Sequence, residues 1–179
     1  MFTHFIDFKV PTMVPSGNDI STLFSIIHVT LSNQQIETAK FAIDFPGYSL
    51  CNNRGSAYIG QTIRVMGDKD TIAKIKLNKK IMSMAHEREI SVHSDTIPDD
   101  HAYVSVVRRR DIEKIKKVTD YRVDINVPYV MYKSQHKNVS MWIYRFEQET
   151  LTENKDLLNS FGLSSRTNPV AIPSFKVGA

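Results

Sequence analysis

The sequence predicts an α+β protein, a ferredoxin-like half followed by a smaller α/β half with a basic helix and a β-hairpin. Three observations carry this. Over residues 1–95 the apolar pattern changes period in the order strand, helix, strand, strand, helix, strand, which is the split βαβ arrangement. The stretch VSVVRRRDIEKIKK, Val104 to Lys117, runs a short apolar strand into three arginines and a lysine-bearing helix. Beyond it, two short alternating segments flank a polar turn at Ser134 to Asn138.

Each element has a local reason. Phe2, His4, Ile6, Phe8 and Val10 alternate with Thr3, Phe5, Asp7 and Lys9, and Pro11, Pro15 and Gly17 end that strand. From Asp19 to Ser32, Ile20, Leu23, Phe24, Ile27 and Leu31 recur every three or four residues, giving a core-facing helical stripe with His28 at its edge. Phe41, Ile43 and Phe45 mark a second strand, stopped by Pro46-Gly47, and Ser49 to Gly60 reads as a long loop. Ile63 and Val65 mark a third strand. Asp70 then caps a helix running through Lys80, and Ile90 to His93 forms a fourth strand.

The acidic loop Asp95 to Asp100 divides residues 1–95 from 96–179. Ala102, Val104 and Val106 alternate with Tyr103, Ser105 and Val107 in a strand covered on both sides, and Asp111 is placed to cap the helix after it. Val123 to Pro128 is ambiguous; Tyr129 to Lys133 and Val139 to Phe146 make the hairpin. The tail FGLSSRTNPVAIPSF reads as irregular chain.

Composition narrows the function. With 23 basic against 19 acidic residues the formal charge is +4, which favours an anionic partner. The single cysteine, Cys51, excludes an internal disulfide and suits a reducing, cytoplasmic setting. No stretch has the length and apolarity of a membrane span, so no membrane partner is expected. The 7 glycines form no phosphate-cradling fingerprint. His93, Asp95, Asp99, Asp100 and His101 match no metal-ligand spacing, so neither a metal nor another cofactor is expected.

Three adjacent arginines, Arg108, Arg109 and Arg110, fan from a fixed strand end in a way that suits a concave polyanion such as folded RNA, and Lys114, Lys117 and Tyr121 extend the line at helical spacing. The same run also fits a solvated surface. His28 sits on a rigid helix where a general acid or base would be well placed, or is a half-buried core residue. Ser134 lies in a basic turn among Lys133, Gln135, His136 and Lys137, and His136 competes with His28 as a base. Met141 or Trp142 could stack on a base, with at least one of the two facing the core.

Taken together, STLFSIIH (Ser21 to His28), YVSVVRRR (Tyr103 to Arg110), KSQ (Lys133 to Gln135) and FGLS (Phe161 to Ser164) resemble the type I-F CRISPR RNA-processing endoribonucleases, which cut the repeat stem-loop of precursor CRISPR RNA. The resemblance implies metal-independent cleavage by 2′-hydroxyl transesterification, leaving a 2′,3′-cyclic phosphate and a 5′-hydroxyl. It assigns proton transfer to His28 and nucleotide positioning to Ser134. It places Arg108 and Arg110 at the foot of the stem, and Lys114, Lys116 and Lys117 in the groove. It also implies a protein that stays on the crRNA hairpin as one end of a surveillance complex with backbone and 5′-end-binding subunits. A catalytically silent RNA-hairpin-binding subunit is the alternative. The chain departs from the family's pattern at Phe161, where the family commonly has tyrosine.

Overall fold

A computed structural model describes residues 2–11, 17–33, 40–50, 57–111, 127–133, 138–150 and 157–176. The first sheet holds β1 (His4–Lys9), β2 (Phe41–Asp44), β3 (Thr62–Gly67) and β4 (Ser91–Thr96) in the order β2-β3-β1-β4. Every pairing in it is antiparallel: His4 faces Gly67 and Thr96, and Phe41 faces Gly67. With α1 (Gly17–Asn33) between β1 and β2 and further helix between β3 and β4, this is the ferredoxin-like topology the sequence pattern predicts.

The helix after β3 differs from the expectation. Asp68, not Asp70, caps α2 (Lys69–Lys76), accepting from Thr71 N–H at 2.7 Å. The chain then breaks at Leu77, and Asn78 caps a separate α3 (Lys79–Glu87) through Ile81 N–H at 3.1 Å. Two caps ten residues apart explain the break: Asn78 accepts a new helix start more readily than it continues an old one. Ile81, Met84 and Ala85 give α3 a buried stripe of its own.

The second sheet holds β5 (Ala102–Arg108), β6 (Tyr129–Lys133), β7 (Asn138–Gln148), β8 (Ser164–Ser165) and β9 (Ile172–Ser174), ordered β6-β7-β5-β8 with β9 also on β5. The expected hairpin is β6 and β7, paired from Tyr129 opposite Trp142 to Lys133 opposite Asn138. The tail is more regular than expected: β8 runs parallel to β5 and β9 antiparallel. Its strands are too short to alternate legibly; β5 supplies the free edge that orders them.

The C-terminal chain wraps the β2 edge of the first sheet, touching α1 on one side and the helix-free face on the other. At the edge, Ile43 N–H donates to Gly162 O at 3.0 Å. On the helix-free face, Arg145 of β7 grips Asp44 through two bonds of 2.7 and 3.2 Å and reaches Ser174 Oγ at 2.8 Å. Arg64, 1% exposed, forms a fork–fork pair with Asp7 at 2.8 Å, donates to Phe175 O at 2.8 Å and lies 3.9 Å from the Phe175 ring centre. All four residues of β2 are therefore buried rather than alternating. Phe5, Asp7 and Arg64, on the face that open sheets of this class present to RNA, lie beneath the chain's own tail.

Candidate catalytic pocket and RNA-binding junction

The pocket is built on α1. Its apolar stripe, Ile20, Leu23, Phe24, Ile27 and Leu31, is no more than 3% exposed. Ser21, Ser25 and His28, at spacings of four and three, share the next face and point toward β6. Ser21 Oγ accepts from Met131 N–H at 2.9 Å, while Ser25 Oγ donates to Ser21 O at 2.8 Å and reaches Met131 O at 3.4 Å. These hydroxyls occupy the backbone groups that β6, an edge strand, turns away from β7. They therefore fix β6 against the helix and bring Tyr132 beside His28.

The turn before β8 delivers the third ring. Asn159 Oδ1 accepts from Phe161 N–H at 2.9 Å and Leu163 N–H at 3.3 Å, and its backbone bonds close the turn on Gly162 and Leu163. Gly162 has φ 67°, and a Cβ there would lie 2.7 Å from the Phe41 ring, so conformation and space both demand glycine. Ser164 Oγ anchors the turn to Val106 O at 3.0 Å. The FGLS stretch is thus a clamp between β2 and β5 that presents Phe161.

Phe161 stacks on His28 with centroids 3.9 Å apart and planes 19° from parallel. Tyr132 stands edge-on to both, 5.1 Å from His28 and 5.3 Å from Phe161. The Arg108 guanidinium carbon is 5.7 Å from the Phe161 centre, so the strand-end arginine and the helix histidine both approach one ring. His28 is 8% exposed, and its Nδ1 is buried without a hydrogen-bond partner. Burial lowers its pKa, opposed by a contact with the Ser160 backbone that favours the protonated ring. Desolvation thus favours the neutral ring.

The three arginines do not act as one grip. Arg109 turns back onto Asp111, with bonds of 2.7 to 3.2 Å, and its backbone N–H donates to Trp142 O. Asp111 also meets Arg166 Nη1 at 3.2 Å. The Arg109 hydrogen bonds are the main reason the Asp111 carboxyl is held down at about 2. Asp111 was expected to cap a helix; helical geometry already begins at Arg110, and the carboxylate serves the two arginines instead. Arg110 is exposed. Met141 is fully buried and Trp142 is 8% exposed against Tyr129, so the stacking platform expected at one of them is covered at both. The exposed aromatic there is Tyr129, at 47%.

Lys114, Lys116, Lys117, Tyr121, Ser134, Gln135 and His136 lie outside the described residues, as does the Lys133 side chain. Sequence reasoning did not single out Tyr132 or Arg166; Ser21 and Ser25 entered only inside a longer motif. The hydroxyl spacing beside His28 was the available signal for the serines. Among the described residues, no group of His, Cys, Asp and Glu could hold a metal ion. No described helix is long and apolar enough to cross a membrane.

Fold and pocket together define an α+β protein of the ferredoxin-like class that sets a desolvated histidine beside an arginine-rich strand end. The model of the CRISPR-associated Csy4 proteins matches residues 14–124, and the chain belongs to that family of type I-F CRISPR RNA-processing endoribonucleases. No curated protein matches the chain. Among solved structures, a CRISPR associated protein Cas6 aligns at 8% identity and TM-score 0.32, covering 97% of this chain and 99% of that one. A crystal structure assigned as a glycine cleavage system transcriptional repressor aligns at 13% identity and TM-score 0.29, covering 84% and 83%. At these scores the family rests on the sequence model and the fold on the topology described above.

Proposed function

We propose that this protein cleaves CRISPR repeat RNA at the base of its stem-loop by metal-independent transesterification, with residues 96–179 supplying most RNA contacts and residues 1–95 supplying the histidine. The observation that carries the reading is His28, stacked on the same Phe161 ring that Arg108 approaches, with burial favouring its neutral form. RNA brings its own nucleophile. His28 takes the proton of the 2′-hydroxyl on the unprotonated nitrogen of its neutral ring. The O2′–P bond forms, the P–O5′ bond then breaks, and the leaving 5′-oxygen takes a proton from water, giving a 2′,3′-cyclic phosphate and a 5′-hydroxyl. A neutral imidazole near its working pH is suited to that role.

Ser134, Gln135, His136 and Lys133 would hold the nucleotide upstream of the cut. Arg108 and Arg110 would read the base pairs at the foot of the stem, and Lys114, Lys116, Lys117 and Tyr121 would line its groove. Arg109, tied to Asp111, would stiffen the junction more than it contacts phosphate. The product hairpin would stay bound, as the RNA-holding end of a surveillance complex.

The burial of His28 and the lack of a partner for Nδ1 also favour a second reading, a hairpin-binding subunit in which the histidine is only packed. Incubating the protein with labelled repeat RNA in chelator separates the two. Cleavage to a cyclic phosphate, lost in His28→Ala with hairpin binding kept, supports the enzyme. Binding without cleavage, or equal cleavage by the variant, removes His28 as the base.

A further inference from the structure

We infer that Tyr132 belongs to the cleavage site, its phenol donating a hydrogen bond to a non-bridging oxygen of the scissile phosphate while His28 handles the 2′-proton. The inference rests on the reading of His28 given above. His28 and Phe161 stack nearly parallel, and Tyr132 stands 81° and 82° to them, flanking the stack. Of the two rings touching His28, Phe161 has no hydroxyl, so Tyr132 is the one able to donate a proton there. Its ring packs against the core while its hydroxyl takes no hydrogen bond from any described residue and is not among the buried orphan atoms. Tyr48 shows the contrast: its hydroxyl is buried without a hydrogen-bond partner, and burial pushes its pKa up to about 12.

The position of Tyr132 is fixed rather than incidental. Met131, its neighbour, is held through both backbone groups by Ser21 and Ser25 of the helix that carries His28. Phenol and imidazole therefore keep their relative geometry through a docked strand and a rigid helix. Arg108 reaches the same Phe161 ring at 5.7 Å, so an anion settling beside the stack would meet a guanidinium as well as the phenol. As O2′ bonds to phosphorus before O5′ departs, charge accumulates on the non-bridging oxygens. A neutral donor aimed there stabilises that state more than the bound substrate.

The test is single-turnover cleavage of the repeat hairpin by wild type, Tyr132→Phe and His28→Ala, with an all-oxygen scissile phosphate or a single phosphorothioate stereoisomer. Tyr132→Phe keeps every ring contact, so folding and hairpin affinity should be unchanged. Cleavage should slow by about a hundredfold, the loss typical of one oxyanion donor. The sulfur substitution that slows wild type should then cost Tyr132→Phe little more. A Tyr132→Phe rate within about twofold of wild type, or a sulfur effect as large as in wild type, overturns the assignment. If His28→Ala is inactive while Tyr132→Phe is normal, only Tyr132 loses its role; if His28→Ala cleaves normally, the proton-transfer reading falls and Tyr132 with it.

Discussion

The His28 pocket and the arginine junction share Phe161 and work by opposite physics. The pocket is aromatic and largely buried, and its histidine is tuned by removal of water. The junction is wet and charged, and its groups are tuned by each other: Asp111 binds Arg109 and Arg166, leaving Arg110 exposed. Desolvation sets a protonation state and so acts on a rate; solvated charge sets an attraction and so acts on affinity and its salt dependence. Substitutions on the two sides should fail in different ways.

The largest expected effect is in the pocket. His28→Ala should lower cleavage by about a hundred- to ten-thousand-fold, the range for a general base, with hairpin affinity unchanged in a filter-binding titration. A matching loss of affinity would erase the distinction between the two regions. Gly162→Ala comes next, because it strains the turn that presents Phe161 to both. With its Cβ against Phe41, it should cost about 1–3 kcal/mol by urea unfolding, and cleavage should fall with it. Arg108→Ala should relax discrimination among stem-base pairs by about 1–3 kcal/mol, read as relative affinities for hairpin variants. Lys117→Ala should weaken all hairpins alike. Equal losses from both variants on every RNA would argue against base reading at Arg108.

Asp111→Asn should have the smallest effect on folding, about 1 kcal/mol for a partly exposed pair. It should nevertheless release Arg109 and Arg166, tighten hairpin binding at low salt and steepen the salt dependence by about one unit. The pocket alone should respond near neutrality. The folded-state pKa of His28 is lowered, so the unfolded chain binds the extra proton first. Its contribution to stability is present above about 6.5, the ordinary histidine value, and is lost as pH falls below it. The acid limb of the cleavage profile should likewise lie below that value, whereas the Asp111 pair should hold until the pH nears 2.

Much of this was legible in residue order. The α1 stripe, the strands at Phe41, Ile63 and Tyr129, and the split βαβ order all follow from period and punctuation. His28 was readable as a rigidly held histidine at a stripe edge, and the FGLS stretch only as an anchor of the family resemblance within a tail that reads as irregular chain. The break at Asn78 was missed because a helix cap and a polar helical residue look alike until the next stripe, Ile81, Met84 and Ala85, is counted. Alternation puts Met141 and Trp142 on opposite faces and so leaves one of the two open to stack on a base, but it cannot say that both faces are covered.

The sequence by itself determined the elements, the excess of positive charge at the β5 end and the histidine on the first helix, because these depend on neighbours within a few residues. Only the tertiary structure decided that Phe161 and Tyr132 close on His28, that Arg109 is spent on Asp111, and that Arg64 seals the helix-free face of the first sheet beneath Phe175. Those contacts join residues far apart in the chain. Their partners are selected by shape and by the need to satisfy buried charge and hydrogen-bonding groups, which no local pattern encodes.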